Sequence, residues 1–227
     1  MKSYVITIMD MEKSVKAAEK CIQSAAEYGV TVEMFPAITP KDDPSRMMDE
    51  RNIPTLGFNE KWSRTERCMA AFLSHYSLWE KCEKEKDQSY LILEHDAVFE
   101  GNIPNISMLE INTEPLLVSL GEPSYGSYKT PSTIGLNKLQ SKHYLPGAHA
   151  YMINYKAAHQ LVGRAKDDPA PTDVFIDNRR FYFLHEWSPF PITVKDTFTT
   201  IQREIGCTHK HSYKKVMETG KGKYDII

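Results

Sequence analysis

Two carboxylates and a histidine follow an apolar run near the middle of the chain. Residues 90–93, Tyr-Leu-Ile-Leu, are typical of a strand buried on both faces, and Glu94, His95 and Asp96 come directly after them. Side chains two residues apart on a strand point to the same side, which predicts that Glu94 and Asp96 lie together. Paired carboxylates suit Mg²⁺ or Mn²⁺, which commonly bridge one or two carboxylates to substrate phosphates. The alternative is a strand end that is acidic only because it reaches the surface.

The elements before this motif predict an α/β arrangement. Residues 4–8 are β-rich, residues 14–28 carry apolar side chains at helical spacing, and residues 30–35 form a second β-rich run that ends at Pro36. Such a β-α-β unit has parallel strands. Open parallel sheets bind ligands at the carboxyl ends of their strands, which is where Glu94 falls. We therefore expect an α/β fold with a Rossmann-like, mostly parallel sheet flanked by helices.

A strong helix is predicted between the β-α-β unit and the acidic motif. Ser63 and Glu66 have the spacing of a capping box, and apolar side chains then recur at helical spacing. These apolar residues are Met69, Phe72, Leu73, Tyr76 and Trp79. Ser74 and His75 lie beside this stripe, which leaves a polar function open to them. A buried histidine satisfied by local hydrogen bonds is the competing interpretation.

The second half of the chain continues the alternation of strands and helices. The predicted strands are residues 116–120, 144–154, 181–184 and 192–194, and the predicted helices are residues 155–166 and 173–179. Residues 39–61 and 122–135 show no period, and we expect loops there that determine specificity. The pattern predicts one domain over residues 1–206 and a basic tail over residues 207–227.

Composition excludes several classes of protein. The 227 residues carry 28 Lys+Arg against 30 Asp+Glu, and a net charge of -2 argues against attachment to nucleic acid or membrane by bulk charge. Four cysteines without a C-x-x-C pair predict reduced thiols and a cytoplasmic location. No apolar stretch approaches the roughly 18–20 residues of a membrane span, so we expect no membrane helix.

Residues 66–79 and 91–98 resemble segments of glycosyltransferase family 25, which is best known from lipooligosaccharide synthesis. The first is similar to the family's Glu-x-x-Cys-x-x-Ser-His-x-x-x-Trp helix, with extra residues between Cys68 and Ser74. The second is similar to its acidic strand end, which is commonly Glu-Asp-Asp. The chain departs from the family at the middle residue of that motif, His95.

Two later segments carry the same resemblance in the same order. Residues 146–151 are similar to the family's Gly-x-x-Ala-Tyr strand, and residues 171–173 are similar to its Pro-x-Asp. Near the N-terminus the chain has Lys13 and Lys16 where the family has an Arg. The resemblance covers about residues 4–177, and its ordered motifs are more specific together than any of them alone.

The resemblance implies a GT-A fold and a metal-dependent, inverting transfer of a sugar from a nucleoside diphosphate, with UDP-sugars the first choice of donor. It implies that Asp96, together with Glu94, holds Mn²⁺ or Mg²⁺ against the donor diphosphate. The residues expected to line the nucleoside pocket are Ile8, Asp10, Ala37 and Ile38. Simple packing explains Ala37 and Ile38 equally well.

The same resemblance assigns the catalytic base and further donor contacts. Asp173 is the expected general base, with Asp177 in reserve, and a helix N-cap is the other explanation of Asp173. Glu66, His75 and His149 are expected to face the nucleotide sugar. Helix capping is the alternative role for Glu66, and a buried structural role is the alternative for the two histidines.

The basic tail has three interpretations. His211, or His209 beside it, is a candidate for a third metal ligand, since many GT-A enzymes take a late histidine. The neighbouring lysines suit phosphate binding, with the tail closing over the donor site, and a solvated tail is the third possibility.

The acceptor has more than one interpretation as well. A hydroxyl of a surface glycan such as lipopolysaccharide is the first expectation, and a hydroxymethylated base of viral DNA is an alternative acceptor. A noncatalytic protein that binds nucleotide sugars or glycans on the same scaffold is another possibility. A nucleotidyltransferase is the last, although residues 9–12 lack its Gly-rich, basic phosphate loop.

Overall fold

The computed structural model describes residues 1–58, 65–86, 88–104, 114–124 and 126–195. Its strands are β1 (Lys2–Thr7), β2 (Glu33–Pro36), β3 (Tyr90–Glu94), β4 (Ala97–Phe99), β5 (Leu117–Ser119), β6 (Gly135–Lys138), β7 (Ala150–Ile153), β8 (Leu184–Ser188) and β9 (Ile192–Val194). Its helices are α1 (Glu12–Glu27), α2 (Pro44–Glu50), α3 (Thr65–Lys84), α4 (Tyr155–Ala165) and α5 (Thr172–Phe175), with 3₁₀ turns at Pro40–Asp42 and Leu56–Phe58. The predicted tail, including His209 and His211, lies outside the described residues.

A seven-stranded sheet organises these elements in the order β2-β1-β3-β7-β5-β8-β6. β1 is parallel to β2 and β3, and β5 is parallel to β8. β7 runs antiparallel to β3 and β5, and β6 runs antiparallel to β8, so these two strands oppose the direction that the other five share. The predicted α/β fold with a mostly parallel sheet is confirmed, including its parallel β-α-β unit.

The register of the first three strands places their carboxyl ends at one edge. Ile6 of β1 lies beside Phe35 of β2 and beside Glu94 of β3, and Thr7 lies beside Pro36. Any side chain that follows these strands therefore emerges at the same edge of the sheet.

Apolar cores cover both faces of the sheet. Tyr90 and Ile92 of β3 belong to the core that contains α3, α4 and α5, whereas Leu91 and Leu93 belong to the core beneath α1. This double burial explains the uninterrupted apolar run before the acidic motif. Trp79 of α3 is fully buried and stacks on Phe175 at a ring-centroid distance of 5.7 Å. Within the described ranges, no helix is long and apolar enough to cross a membrane.

The prediction of a loop over residues 39–61 is wrong in part, because the segment contains helix α2. The Asp43 side chain caps this helix by accepting a hydrogen bond from the Arg46 amide at 3.2 Å, and Pro44 occupies its first position. Only Pro44 and Met48 are buried among its seven residues. Two buried residues are too few to produce a recognisable helical spacing of apolar residues in the sequence.

Two predicted strands differ in extent. The strand expected over residues 144–154 is confined to β7, and the strand expected over residues 181–184 begins only at Leu184. Phe181 fills the core instead of a ladder position, with its ring centroid 5.4 Å from that of Phe175. Side-chain packing therefore takes the place of strand pairing just before β8.

Candidate functional site

A cleft of about 360 Å³ lies at the carboxyl edge of β1, β2 and β3, against the first half of α3. This volume falls in the range of small-molecule sites. Predicted site residues in its lining are Ile8, Asp10, Ala37, Ile38, His75 and Glu94. The structure thus brings together most of the residues that the sequence assigns to the donor pocket.

Buried serines hold the two turns that form one wall of the cleft. The Ile8 amide donates to Ser14 Oγ of α1 at 2.9 Å, and the Ile38 amide donates to Ser74 Oγ of α3 at the same distance. The Ala37 amide donates to the Thr7 carbonyl at 2.8 Å. Ser14 and Ser74 are both completely buried. Sequence analysis leaves the function of Ser74 open, and the structure assigns it to positioning this backbone.

Glu94 ends β3 and presents its carboxylate to the cleft. Its amide donates to the His149 carbonyl of the neighbouring chain segment at 2.9 Å, and its side chain is 28% exposed. Glu94 Oε1 lies 3.2 Å from Nε2 of the buried His75. Burial lowers the pKa of His75 to about 3, and the negative charge of Asp173 opposes this shift more weakly. His75 is therefore neutral at pH 7 and bonds to Glu94 as a neutral imidazole.

Asp96 does not share the cleft with Glu94. The strand ends at Glu94, and His95 and Asp96 form a turn, so the alternation that pairs the carboxylates stops before Asp96. His95 lines the cleft, and Asp96 is not part of its lining. Burial raises the pKa of the Cys21 thiol in α1 to about 12, and the charge of Asp96 adds to this shift. Asp96 therefore acts electrostatically on the α1 side of the sheet.

The donor set at the cleft fits a cation that binds together with a phosphate ligand. In the part of the chain that the structure describes, no three His, Cys, Asp or Glu residues form a group that could hold a metal. Mg²⁺ and Mn²⁺ do not need such a cage, because one or two carboxylates commonly suffice when substrate phosphates complete the coordination. Glu94 is a carboxylate of this kind in the cleft.

Asp173 lies in α5, which ends at Phe175 and is shorter than the predicted helix over residues 173–179. Its N-cap residue is Pro171, so Asp173 is not the N-cap itself, but Asp173 Oδ1 accepts a hydrogen bond from the Val174 amide at 3.0 Å in the first turn of the helix. The side chain of Asp173 is half-buried, and its charge reaches His75. Asp173 does not line the cleft itself.

Asp177, the reserve base, is committed to an ion pair. It is completely buried, and its two carboxylate oxygens accept hydrogen bonds from Arg179 Nε at 3.0 Å and Nη2 at 2.7 Å. These charge-assisted hydrogen bonds occupy both oxygens of the carboxylate. Asp177 therefore has a structural role.

Glu66 and His149 lie away from the cleft lining. Glu66 is exposed in the first turn of α3, and Ser63 of its predicted capping box lies outside the described residues. His149 is buried beside Gly121 and Gly147 and lines a separate cavity of about 10 Å³. Burial lowers the pKa of His149 to about 4.

Two cationic side chains in the cleft, Lys41 and Arg67, are not predicted from the sequence. Lys41, in the 3₁₀ turn after β2, forms an ion pair with Asp10, which lowers the pKa of Asp10 and raises that of Lys41. Arg67 of α3 also lines the cleft. The signal for Arg67 is helical spacing, because Arg67, Ala70, Ala71 and Ser74 recur on one face at intervals of three and four residues.

This arrangement defines an α/β protein with a ligand cleft at the carboxyl ends of its parallel strands, the usual location of a site in this class. Residues 1–176 match the family described as glycosyltransferase family 25 (LPS biosynthesis protein), and the chain belongs to this family. The resemblance of the sequence motifs to that family is confirmed.

Relatives in insects carry the same family name. A "Glycosyltransferase 25 family member" of Aedes aegypti is 30% identical over 101 residues, which cover 42% of this chain and 16% of that protein. One of Drosophila melanogaster is 23% identical over 181 residues, which cover 75% of this chain and 30% of that protein. The chain thus spans less than a third of the length of these relatives.

A solved structure shows a looser likeness. The glycosyltransferase GlyE of Streptococcus pneumoniae TIGR4 aligns with 88% of this chain and 57% of its own chain, at 10% sequence identity and a TM-score of 0.39. A likeness at this level carries no argument about function.

Proposed function

We propose that this protein transfers a sugar from a nucleoside diphosphate sugar, with UDP-sugars the first choice, to an acceptor hydroxyl. The composition of the cleft carries the proposal, because apolar Ile8 and Ile38 lie in one lining with the Glu94 carboxylate and two cationic side chains. Apolar surface suits a nucleoside, and the charged groups suit a diphosphate. Membership of a glycosyltransferase family supports the same class of donor.

A divalent cation, Mn²⁺ or Mg²⁺, is the proposed cofactor. Glu94, the carboxylate that the cleft presents, would hold it against the donor diphosphate, where it would supply positive charge that offsets the charge of the leaving group. Lys41 and Arg67 donate charge-assisted hydrogen bonds to phosphate oxygens in the same cleft.

Asp173 is the proposed general base of an inverting transfer. The acceptor oxygen forms a bond to the anomeric carbon from the face opposite the diphosphate, the bond to the diphosphate breaks, and Asp173 takes the acceptor proton. Its half-buried position, within electrostatic reach of His75 beside the cleft, supports this role. The commitment of Asp177 to Arg179 leaves Asp173 as the better candidate of the two.

The proposed acceptor is a hydroxyl of a surface glycan such as lipopolysaccharide. The description of the matching family, which names LPS biosynthesis, supports this choice. A hydroxymethylated DNA base is less favoured because the net charge of -2 provides little general attraction to nucleic acid.

Thermal unfolding with candidate donors tests the proposal without knowledge of the acceptor. UDP, GDP and CMP are each added with and without Mn²⁺, and uridine serves as the control without phosphate. A ligand at about 100 times its dissociation constant adds about 2.7 kcal/mol to the free energy of unfolding. We expect a rise in Tm for one nucleotide that depends on Mn²⁺ and is absent with uridine. If no nucleotide raises Tm under either condition, the proposed donor site is wrong.

A further inference from the structure

Four side chains from three elements form one hydrogen-bonded chain that ends at the cleft. Trp79 Nε1 of α3 lies 2.8 Å from the Tyr151 hydroxyl of β7, and that hydroxyl lies 2.9 Å from His75 Nδ1. His75 Nε2 lies 3.2 Å from Glu94 Oε1. Trp79, Tyr151 and His75 are buried, with exposed fractions of 0%, 0% and 1%. Of the four side chains, only that of Glu94 is partly exposed, at 28%.

The chemistry of the groups fixes the direction of every hydrogen bond. An indole N–H can only donate, so the Tyr151 oxygen accepts from Trp79. The Tyr151 proton is then directed to His75 Nδ1, which must accept it. The Glu94 carboxylate accepts at the other ring nitrogen, so Nε2–H donates to it and Nδ1 is left as the acceptor. All four groups are satisfied only in this tautomer.

The chain of bonds leaves Glu94 little freedom. Its Oε1 is held by His75, whose ring in turn stacks on that of Tyr151 at a centroid distance of 5.8 Å and an interplanar angle of 20°. The Glu94 amide is bonded to the neighbouring segment at His149. Burying three polar side chains costs free energy unless each finds a partner, and here the last partner is the cleft carboxylate.

We propose that the Tyr151 hydroxyl, acting through His75, is the positioning group that holds the His75 ring and thereby the orientation of Glu94 for a cation bound with the donor diphosphate. This role rests on the function proposed above. Tyr151 does not line the cleft, so any effect of its hydroxyl on ligand binding passes through His75 and Glu94. Groups that orient a ligating carboxylate in this way are worth about 10–100-fold in metal affinity.

The test compares Tyr151→Phe with Tyr90→Phe. Both rings are fully buried, and Tyr90 lies on the same strand as Glu94 but bonds to Glu85 at the opposite end, at 2.6 Å. Calorimetric titration gives the affinity for UDP with and without Mn²⁺. We expect Tyr151→Phe to reduce the Mn²⁺-dependent part of the affinity about 10–100-fold and to leave binding of UDP alone unchanged. Tyr90→Phe should change neither value.

Nitrogen NMR of the metal-free protein gives a second, independent result. We expect His75 of the natural sequence to carry its proton on Nε2, and we expect Tyr151→Phe to shift the resonance of the unprotonated Nδ1, which loses its hydrogen-bond donor. A proton on Nδ1 in the natural sequence overturns the inference, and so does a folded Tyr151→Phe with unchanged Mn²⁺ dependence. If the natural sequence binds no UDP at all, the proposed function fails, while the tautomer still tests the hydrogen-bonded chain.

Discussion

Two buried histidines that sequence analysis treats alike prove to have different surroundings. His75 lies on the open cleft and has a partner at each ring nitrogen, whereas His149 lies against the small cavity near β5 and neither of its nitrogens has a hydrogen-bond partner among the described residues. Burial lowers the pKa of both. A shifted pKa therefore does not mark the site here. The contact between a buried histidine and a cleft carboxylate does.

The largest expected effect is common to both histidines and is a loss of stability on mild acidification. Burial lowers the pKa of His75 to about 3 and that of His149 to about 4, so both remain neutral in the folded state at pH 5. The unfolded chain binds protons on these residues below about pH 6.5, so the free energy of unfolding falls as pH falls through this range. Each histidine contributes up to about 1.4 kcal/mol per pH unit.

Urea unfolding at pH 7 and pH 5 measures this loss. The variant His149→Gln removes one of the two histidines that take up a proton on unfolding. Its free energy of unfolding should therefore fall less between pH 7 and pH 5 than that of the natural sequence. Equal free energies of unfolding at the two pH values would contradict the neutral state of the histidines.

The contact between His75 and the cleft carboxylate, which His149 lacks, is tested by Glu94→Gln. Removing the carboxylate charge should reduce the Mn²⁺-dependent affinity for UDP by more than about 100-fold, a larger effect than loss of an outer partner. Glu83→Gln is the matched control, because Glu83 lies at the far end of α3 and pairs with His159 at 2.7 Å. Calorimetric titration measures both variants. Equal losses in the two would place the cation elsewhere.

The packing around His149 at the small cavity is tested by Gly121→Ala. A Cβ at Gly121 would lie 2.2 Å from His149 Nε2, so the buried ring must move, and overpacking of this kind costs about 1–3 kcal/mol. Gly163→Ala in α4 is the control, because nothing lies within 4 Å of its added Cβ, and the better helix former should raise stability by about 1 kcal/mol. Thermal unfolding that shows the same sign for both variants would argue against a tightly held His149.

A smaller effect is expected for the cleft cation Arg67. The variant Arg67→Ala loses one charge-assisted hydrogen bond, worth about 1.5–3 kcal/mol. Its affinity for UDP should fall at least about 10-fold, and its affinity for uridine should stay unchanged. Arg46→Ala is the control, because Arg46 lies in α2 with Asp43 and Glu50 as partners. Competition binding with the two ligands provides the measurement. An equal loss of affinity for UDP and for uridine would mean that Arg67 stabilises the structure of the cleft and does not bind the phosphates.

The sequence predicts best those features that depend on local periodicity. The β-α-β unit, α3 and the buried strand before Glu94 each repeat apolar residues at one period, and together they bring Ile8, Ala37 and Glu94 to one edge of the sheet. Their positions follow because the carboxyl ends of parallel neighbours meet.

Features that depend on a single turn or a distant partner could not be predicted. The turn at His95 takes Asp96 away from the cleft, and a two-residue pattern contains no sign of where a strand ends. The partner of Asp177 is two residues away at Arg179, which sequence spacing allows but does not require. The roles of Ser14 and Ser74 depend on tertiary contacts with residues 8 and 38.

The most direct test of the donor cleft is an NMR titration of the isotope-labelled protein with UDP and Mg²⁺. We predict that the largest amide shifts fall on Ile8, Ala37, Ile38 and Glu94, whose backbone forms or borders the cleft, while Gly121 and His149 at the small cavity change little. Shifts concentrated at Gly121 and His149, or no shifts at saturating UDP, would contradict the assignment of the cleft as the donor site.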